Sequence, residues 1–393
     1  MTESVATKAA LKSALDSIHQ RLGATMIERD GWSLPQSYGD VLLEYAAVRE
    51  GAAGLIDLSY RGRIKVSGTE AVQFLNGLIT NDMKTLAEHS WMPAAFPNVQ
   101  GRLIASVRVI RLHDKGTDRN VCPTFLIDTE AATHGSVLKN IERFTLAGDF
   151  RVTDVTNQTA MLSVQGEKAV EIVRAVLGDA AAGIEANGVK QIEWPRNAEG
   201  AINVTEGVIV MRAAHTAEDG FDFVVPSNDA GSFFEALENA GARPVGNDAL
   251  EMLRIEAGVP RYGVDMDETN VVTEAALDDA VSYTKGCYVG QEIIARIKYR
   301  GHVAKKLSGL IFEQAVPLEV GSAVQSSDSK EIGRITSTTY SPHLGRTIAL
   351  AYLKYDYLAA GTRVKVISAA NELAAQVTEL PFVKGSWLKE KDH

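Results

Sequence analysis

Ile64-Lys65-Val66-Ser67-Gly68-Thr69-Glu70-Ala71-Val72-Gln73-Phe74-Leu75 has a counterpart in Leu162-Ser163-Val164-Gln165-Gly166-Glu167-Lys168-Ala169-Val170-Glu171-Ile172-Val173, so Gly68 recurs as Gly166. Each copy reads as a short strand, a glycine turn and an amphipathic helix. Two copies so far apart point to two similar α+β lobes. A solenoid would need several repeats of a shorter period.

Working outward, residues 102–112 and 125–128 carry strand signals, split by a polar loop at 113–120. Residues 163–177 and 230–240 carry helical patterning. Residues 208–211 and 221–225 read as a strand pair around the polar turn Glu218-Asp219-Gly220. The 250–257 helix stops at Gly258, with Pro260 just beyond. At the N-terminus, Leu11, Leu15, Ile18 and Leu22 predict an amphipathic helix over residues 6–22.

After Gly301 the texture changes. Short strands are expected at 307–312, 322–325, 331–338, 347–353, 362–367 and 374–378, punctuated by glycines, as in a small barrel or sandwich. A boundary near Gly301-His302 divides the chain into residues 1–301 and 302–393.

Composition narrows the function. The 393 residues carry 40 basic and 50 acidic side chains, net −10, which disfavours a broad nucleic-acid or anionic-lipid surface. Cys122 and Cys287 are too few for a disulfide framework or a cysteine metal set. With no long apolar run and no leader-like N-terminus, a cytoplasmic location and no membrane association are expected. Histidines at 113, 134, 215 and 302 show no metal-ligand spacing, so no metal site is expected. Neither a phosphate-binding P-loop nor a Gly-x-Ser-x-Gly elbow is present.

The segment Lys285-Gly286-Cys287-Tyr288-Val289-Gly290-Gln291-Glu292 sets a cysteine between glycines, with a lysine two residues before it and a helix start just after. A nearby ammonium and a helix N-terminus both favour a thiolate. Alternatively, the glycines allow a tight turn with Cys287 packed beneath it. The basic run Arg296 to Lys306 could touch RNA or an anionic tail, or be a solvated domain junction.

These residues resemble the glycine-cleavage T-protein (aminomethyltransferase) superfamily over nearly the whole chain. The segment 285–292 is similar to the signature of its YgfZ branch, folate-binding proteins linked to iron–sulphur cluster maturation and tRNA modification. Supporting stretches are 54–59, 74–82, 212–223, 253–260 and, near the C-terminus, 333–337 and 341–352. The resemblance implies an α+β fold of three lobes around a central folate channel, with a C-terminal antiparallel β-barrel.

It also implies tetrahydrofolate, or a one-carbon derivative, as cofactor. Glu218 is then expected to accept the paired N–H donors of the reduced pterin, with Arg254 supporting the channel. Asn81 and Asp82 are either ligands or turn residues. Lys285 and Cys287 are the expected catalytic pair, and iron–sulphur assembly proteins or tRNA the expected partners. In Asn98-Val99-Gln100-Gly101-Arg102-Leu103-Ile104-Ala105-Ser106, the place of the family's catalytic aspartate is taken by Ala105, followed by Ser106. This departure opposes standard aminomethyl transfer. The expected role is a YgfZ-type folate-binding protein. The alternatives are a folate-dependent aminomethyltransferase or demethylase acting on a small amine or thioether, and a non-catalytic module with a closed folate site.

Overall fold

The computed structural model describes residues 9–113, 122–143, 145–146, 148–194, 207–369 and 371–389. The chain begins with β1 (Leu11–Lys12), α1 (Asp16–Arg21), β2 (Thr25–Arg29) and β3 (Trp32–Ser37), strands that pair in the order β1-β3-β2. The N-terminal helix is therefore shorter than its leucine spacing predicts. Leu11 and Lys12 pair with Trp32 and Ser33 instead, and residues 6–8 lie outside the described residues.

Next come α2 (Val41–Arg49), β4 (Gly54–Asp57), β5 (Gly62–Ser67), α3 (Ala71–Leu78), β6 (Ser90–Pro97), β7 (Leu103–Arg111), β8 (Thr124–Thr129), α4 (Ala131–Glu142) and β9 (Arg151–Asp154). They continue through β10 (Thr159–Gln165), α5 (Ala169–Leu177), α6 (Asp179–Ala182), β11 (Val189–Ile192), β12 (Val208–Arg212), β13 (Gly220–Pro226), α7 (Ala230–Asn239), β14 (Arg243–Pro244), α8 (Asn247–Glu256) and α9 (Gln291–Arg300). Residues 163–165 belong to β10, so the predicted 163–177 helix starts only at Ala169, past the glycine turn. Most of the predicted 113–120 loop lies outside the described residues.

The repeated segments build two sheets. The first has the order β6-β7-β8-β5-β9, and the second β11-β12-β13-β10-β4-β14. Strand β5 leads through Gly68 into α3, and β10 through Gly166 into α5. The two glycines adopt nearly the same left-handed backbone, φ +133° and +135°. A Cβ on Gly68 would lie 2.0 Å from the Asp149 carbonyl oxygen, and one on Gly166 2.6 Å from that of Ala52. Only glycine tolerates both the dihedral and the approach.

Each lobe has its own core. Ile64, Leu75, Val109, Phe125 and Ile141 pack on the first sheet, and Leu162, Val173, Phe223, Phe233 and Leu237 on the second. A third cluster, including Ile56, Leu58, Ile110, Leu126, Met161, Ile209 and Leu253, lies between the two sheets under α2 and α8. The sheets thus face each other across a shared apolar layer.

Six strands, β15 (Lys305–Phe312), β16 (Ala323–Gln325), β17 (Glu331–Ser341), β18 (Arg346–Lys354), β19 (Arg363–Ser368) and β20 (Asn371–Thr378), close an antiparallel barrel in the order β15-β18-β17-β16-β19-β20. Closure removes exposed strand edges. The short α10 (Ser386–Lys389) follows and returns to the second lobe. Among the described residues, no helix is long and apolar enough to cross a membrane.

Candidate functional site

A cavity of about 370 Å³ opens where the two sheets meet α8 and the segment that follows it. This lies within the roughly 300–1,000 Å³ range typical of small-molecule pockets. Its apolar and aromatic wall comes from Ile56 of β4, from Leu58 and Tyr60 just beyond that strand, and from Trp91 and Pro93 of β6. Its polar wall includes Arg61, Ser106, Arg108, Glu130, His215, Glu251 and Arg254.

Strand alternation decides which residues of β7 reach this space. Ala105 is fully buried in the first lobe's core, whereas Ser106 and Arg108 line the cavity. Position 106, rather than 105, is therefore where an acid on this strand would meet a ligand. Here it is a serine.

Arg108 is fixed from two directions. Its Nε donates to Asp128 at 2.7 Å, and its Nη1 to Asp222 at 2.6 Å. Asp128 also takes two N–H groups from Arg61. The Arg108 guanidinium lies 5.5 Å from the Trp91 ring centroid, within cation–π range.

His215 sits in the β12–β13 connection, its backbone N–H bonded to Gln165 Oε1 at 2.9 Å. Its Nε2 lies 3.0 and 2.8 Å from the two oxygens of Asp222. Asp222 is fully buried. Burial opposes its ionisation, but His215 and Arg108 outweigh that and hold the carboxyl well below the usual range. The carboxylate fixes the imidazole, whose Nδ1 has no hydrogen-bond partner among the described residues.

Glu130 lies between the end of β8 and the start of α4. One carboxylate oxygen accepts the Tyr262 N–H at 3.0 Å; the other has no hydrogen-bond partner among the described residues. Burial pushes its pKa up, with the Arg61 charge only partly offsetting this. A half-engaged carboxyl in a cavity wall is a natural acceptor for a ligand's N–H groups.

The residues expected from the sequence sit differently. Glu218 is buried but does not line the cavity. Its oxygens accept from Arg49 Nη1 at 2.7 Å and from the Ser386 backbone N–H and hydroxyl at 2.8 and 2.6 Å. Burial works against its charge, yet Ser386 and Arg49 hold the carboxyl below the usual range. Arg49 also grips Glu256, which receives the Tyr45 and Ser341 hydroxyls. Glu218 thus anchors the C-terminal segment, with both its oxygens accepting hydrogen bonds within the protein.

Arg254 does line the cavity. Its N–H groups go to Glu251, Asp265, Ser337 and the Val259 carbonyl, tying α8 to the barrel. It shapes the wall and has no N–H left to offer a ligand. Asn81 bonds the carbonyls of Pro93 and Asp279, while Asp82 accepts the Lys84 N–H; both act as turn residues.

Lys285 and Cys287 are not a pair at the cavity. Lys285 Nζ donates to the carbonyls of Asn76, Ile79 and Asn81 at 2.7, 2.9 and 2.6 Å, closing the C-terminal end of α3. Burial pushes its pKa down to about 8. Cys287 is exposed, so the packed alternative for the thiol is corrected. Neither residue lines the cavity. The glycines have a local reason: a Cβ on Gly290 (φ +78°) would lie 2.4 Å from the Asn98 carbonyl oxygen and 3.1 Å from Gly101. The 285–292 segment therefore seats against the Asn98–Gly101 turn.

Glu130 and His215 were not singled out from the sequence as site residues. Glu130 reads there as one more acid at the start of a helix. His215 lies three residues from Glu218 in a polar connection, and no local pattern links it to Asp222 on β13.

Residues 15–285 match the GCVT N-terminal domain and residues 305–384 the Glycine cleavage T-protein C-terminal barrel domain. The chain is similar to an aminomethyltransferase of Symbiobacterium thermophilum, 30% identical over 390 residues that cover 95% of this chain and 97% of that one. It is similar to another from Cutibacterium acnes, 31% identical over 380 residues covering 95% and 99%. In fold it resembles the crystal structure of glycine cleavage system aminomethyltransferase T from Bartonella henselae, with TM-score 0.83, 23% identity, and coverage of 96% and 99%. The chain belongs to the glycine-cleavage T-protein (aminomethyltransferase) family.

Proposed function

We propose that this protein binds a reduced folate in the cavity between the two sheets and acts as a folate-dependent aminomethyltransferase. The observation that carries this reading is the cavity itself: flat apolar walls at Tyr60 and Trp91, a half-engaged acid at Glu130, and His215 held by the buried Asp222. A reduced pterin is flat and carries adjacent N–H donors, so walls and acceptor fit it in kind. The names of the curated relatives support the same reaction class.

When bound, tetrahydrofolate supplies the reduced ring nitrogens that accept the one-carbon unit. Glu130 accepts the pterin's N–H groups. His215, oriented by Asp222, takes or returns a proton through Nδ1. Arg108 and Arg61 keep Asp128 and Asp222 ionised, so the imidazole remains fixed during proton movement. Ser106 offers a hydroxyl but no negative charge, so transfer is expected to be slower than in a site with an acid there.

A second reading is favoured by that same serine and by the 285–292 segment. In it, the protein binds folate without turnover and serves iron–sulphur protein maturation or tRNA modification in the YgfZ manner. The two readings separate in one experiment: incubation with tetrahydrofolate and an aminomethylated carrier protein. Formation of the methylene-folate product that is lost in His215→Ala supports transfer. Folate binding with no product supports the second reading.

A further inference from the structure

Away from the cavity, three side chains of metal-ligating type converge at the seam between the lobes. Glu88 and His89 lie just before β6, and His113 just after β7. Ser90 pairs with Arg111, so the β6–β7 ladder brings the ends of the two strands side by side. His113 Nδ1 lies 2.8 Å and His89 Nε2 3.8 Å from the same oxygen of Glu88, and one ligand atom from each residue falls within 4.8 Å of the others. The two imidazoles stack at 5.7 Å with 9° between their planes.

We propose that Glu88, His89 and His113 form a binding site for a divalent transition-metal ion of the zinc class. Two imidazole nitrogens and one carboxylate oxygen suit zinc, nickel or copper rather than magnesium or calcium. Zinc bonds of roughly 2.0–2.2 Å at tetrahedral angles set neighbouring donors about 3.3 Å apart. The two measured separations bracket that value. All three side chains are exposed, so both rings have room to turn their lone pairs onto one ion, and water can fill the fourth position. Glu88-His89 and His113 are far apart in sequence, which is why ligand spacing along the chain does not reveal the set.

The position suggests what the ion would do. The His89 carbonyl accepts the Val189 N–H of β11 at 2.8 Å, and Ser90 bridges Gly188, so this loop joins the first lobe to the second. His89 itself holds a left-handed backbone, φ +59°. A bound ion would fasten the loop before β6 to the end of β7 at that seam.

The test is calorimetric titration of the chelator-stripped full chain with zinc chloride near pH 7.5, repeated on His113→Ala and His89→Asn, with thermal melts alongside. Asparagine is chosen at 89 because it tolerates the left-handed backbone. The expected result is one saturable equivalent and a raised Tm in the parent, with affinity at least about tenfold weaker and the Tm rise lost in both variants. Absence of saturable binding, or a zinc affinity that neither substitution changes, would overturn the proposal.

Discussion

His215 and Asp222 face each other at the second lobe's inner edge, imidazole Nε2 lying 3.0 and 2.8 Å from the two carboxylate oxygens. Arg108 reaches the same carboxylate from the first lobe at 2.6 Å. One buried acid therefore orients the cavity's histidine and binds the lobes together.

Asp222→Asn should be strongly destabilising. It leaves the Arg108 charge facing an amide in a buried site, a change of about 3–5 kcal/mol. The parent's carboxyl is held below its unfolded pKa. Its contribution is therefore fully present above roughly pH 4 and disappears as pH falls through the lower folded value. Urea denaturation of both proteins across this range should show the difference shrinking in acid.

Glu130→Gln should behave in the opposite sense. Burial raises the folded pKa of Glu130, so the folded state holds its proton longer and stability declines as pH rises through the window above about 4.5. The glutamine variant lacks that decline. It should match or exceed the parent's Tm at pH 7.5, converge with it near pH 4.5, and bind folate at least about tenfold more weakly, a loss of about 1.4 kcal/mol.

Lys285→Met should lower stability by about 2–3 kcal/mol, because three carbonyls at the end of α3 lose their buried donor. Cys287→Ser, at an exposed position, should stay within about 0.5 kcal/mol of the parent. Denaturation midpoints of the two variants check both statements. An unchanged Lys285→Met midpoint would remove the structural role assigned to that ammonium.

Gly68→Ala and Gly166→Ala should each cost about 2 kcal/mol or more. Both require a positive φ, and the added Cβ meets a carbonyl oxygen 2.0 or 2.6 Å away. Thermal melts of the two should show similar losses if the lobes are built alike.

The repeat at Gly68 and Gly166 was legible because a glycine between a strand and a helix leaves a local imprint. The barrel was legible for the same reason: its strands are short, alternating and glycine-bounded. The site was less so. Glu218 stands out in sequence as an acid at a hairpin tip, yet what engages it is Ser386, far along the chain. Lys285 reads as a partner for Cys287 only until the end of α3 is placed beside it. Glu130 and His215 become cavity residues solely through the packing of one sheet against the other, which local patterning does not encode.

We propose that folate is held at Glu130 and His215, between the sheets, with Glu218 serving as a structural anchor. Equilibrium titration with tetrahydrofolate, on the parent, Glu130→Gln, His215→Ala and Glu218→Gln, tests it most directly. The account predicts saturable binding in the parent, marked weakening in the first two variants, and near-parental affinity in folded Glu218→Gln. Parental affinity in both Glu130→Gln and His215→Ala, with binding abolished in folded Glu218→Gln, would contradict it.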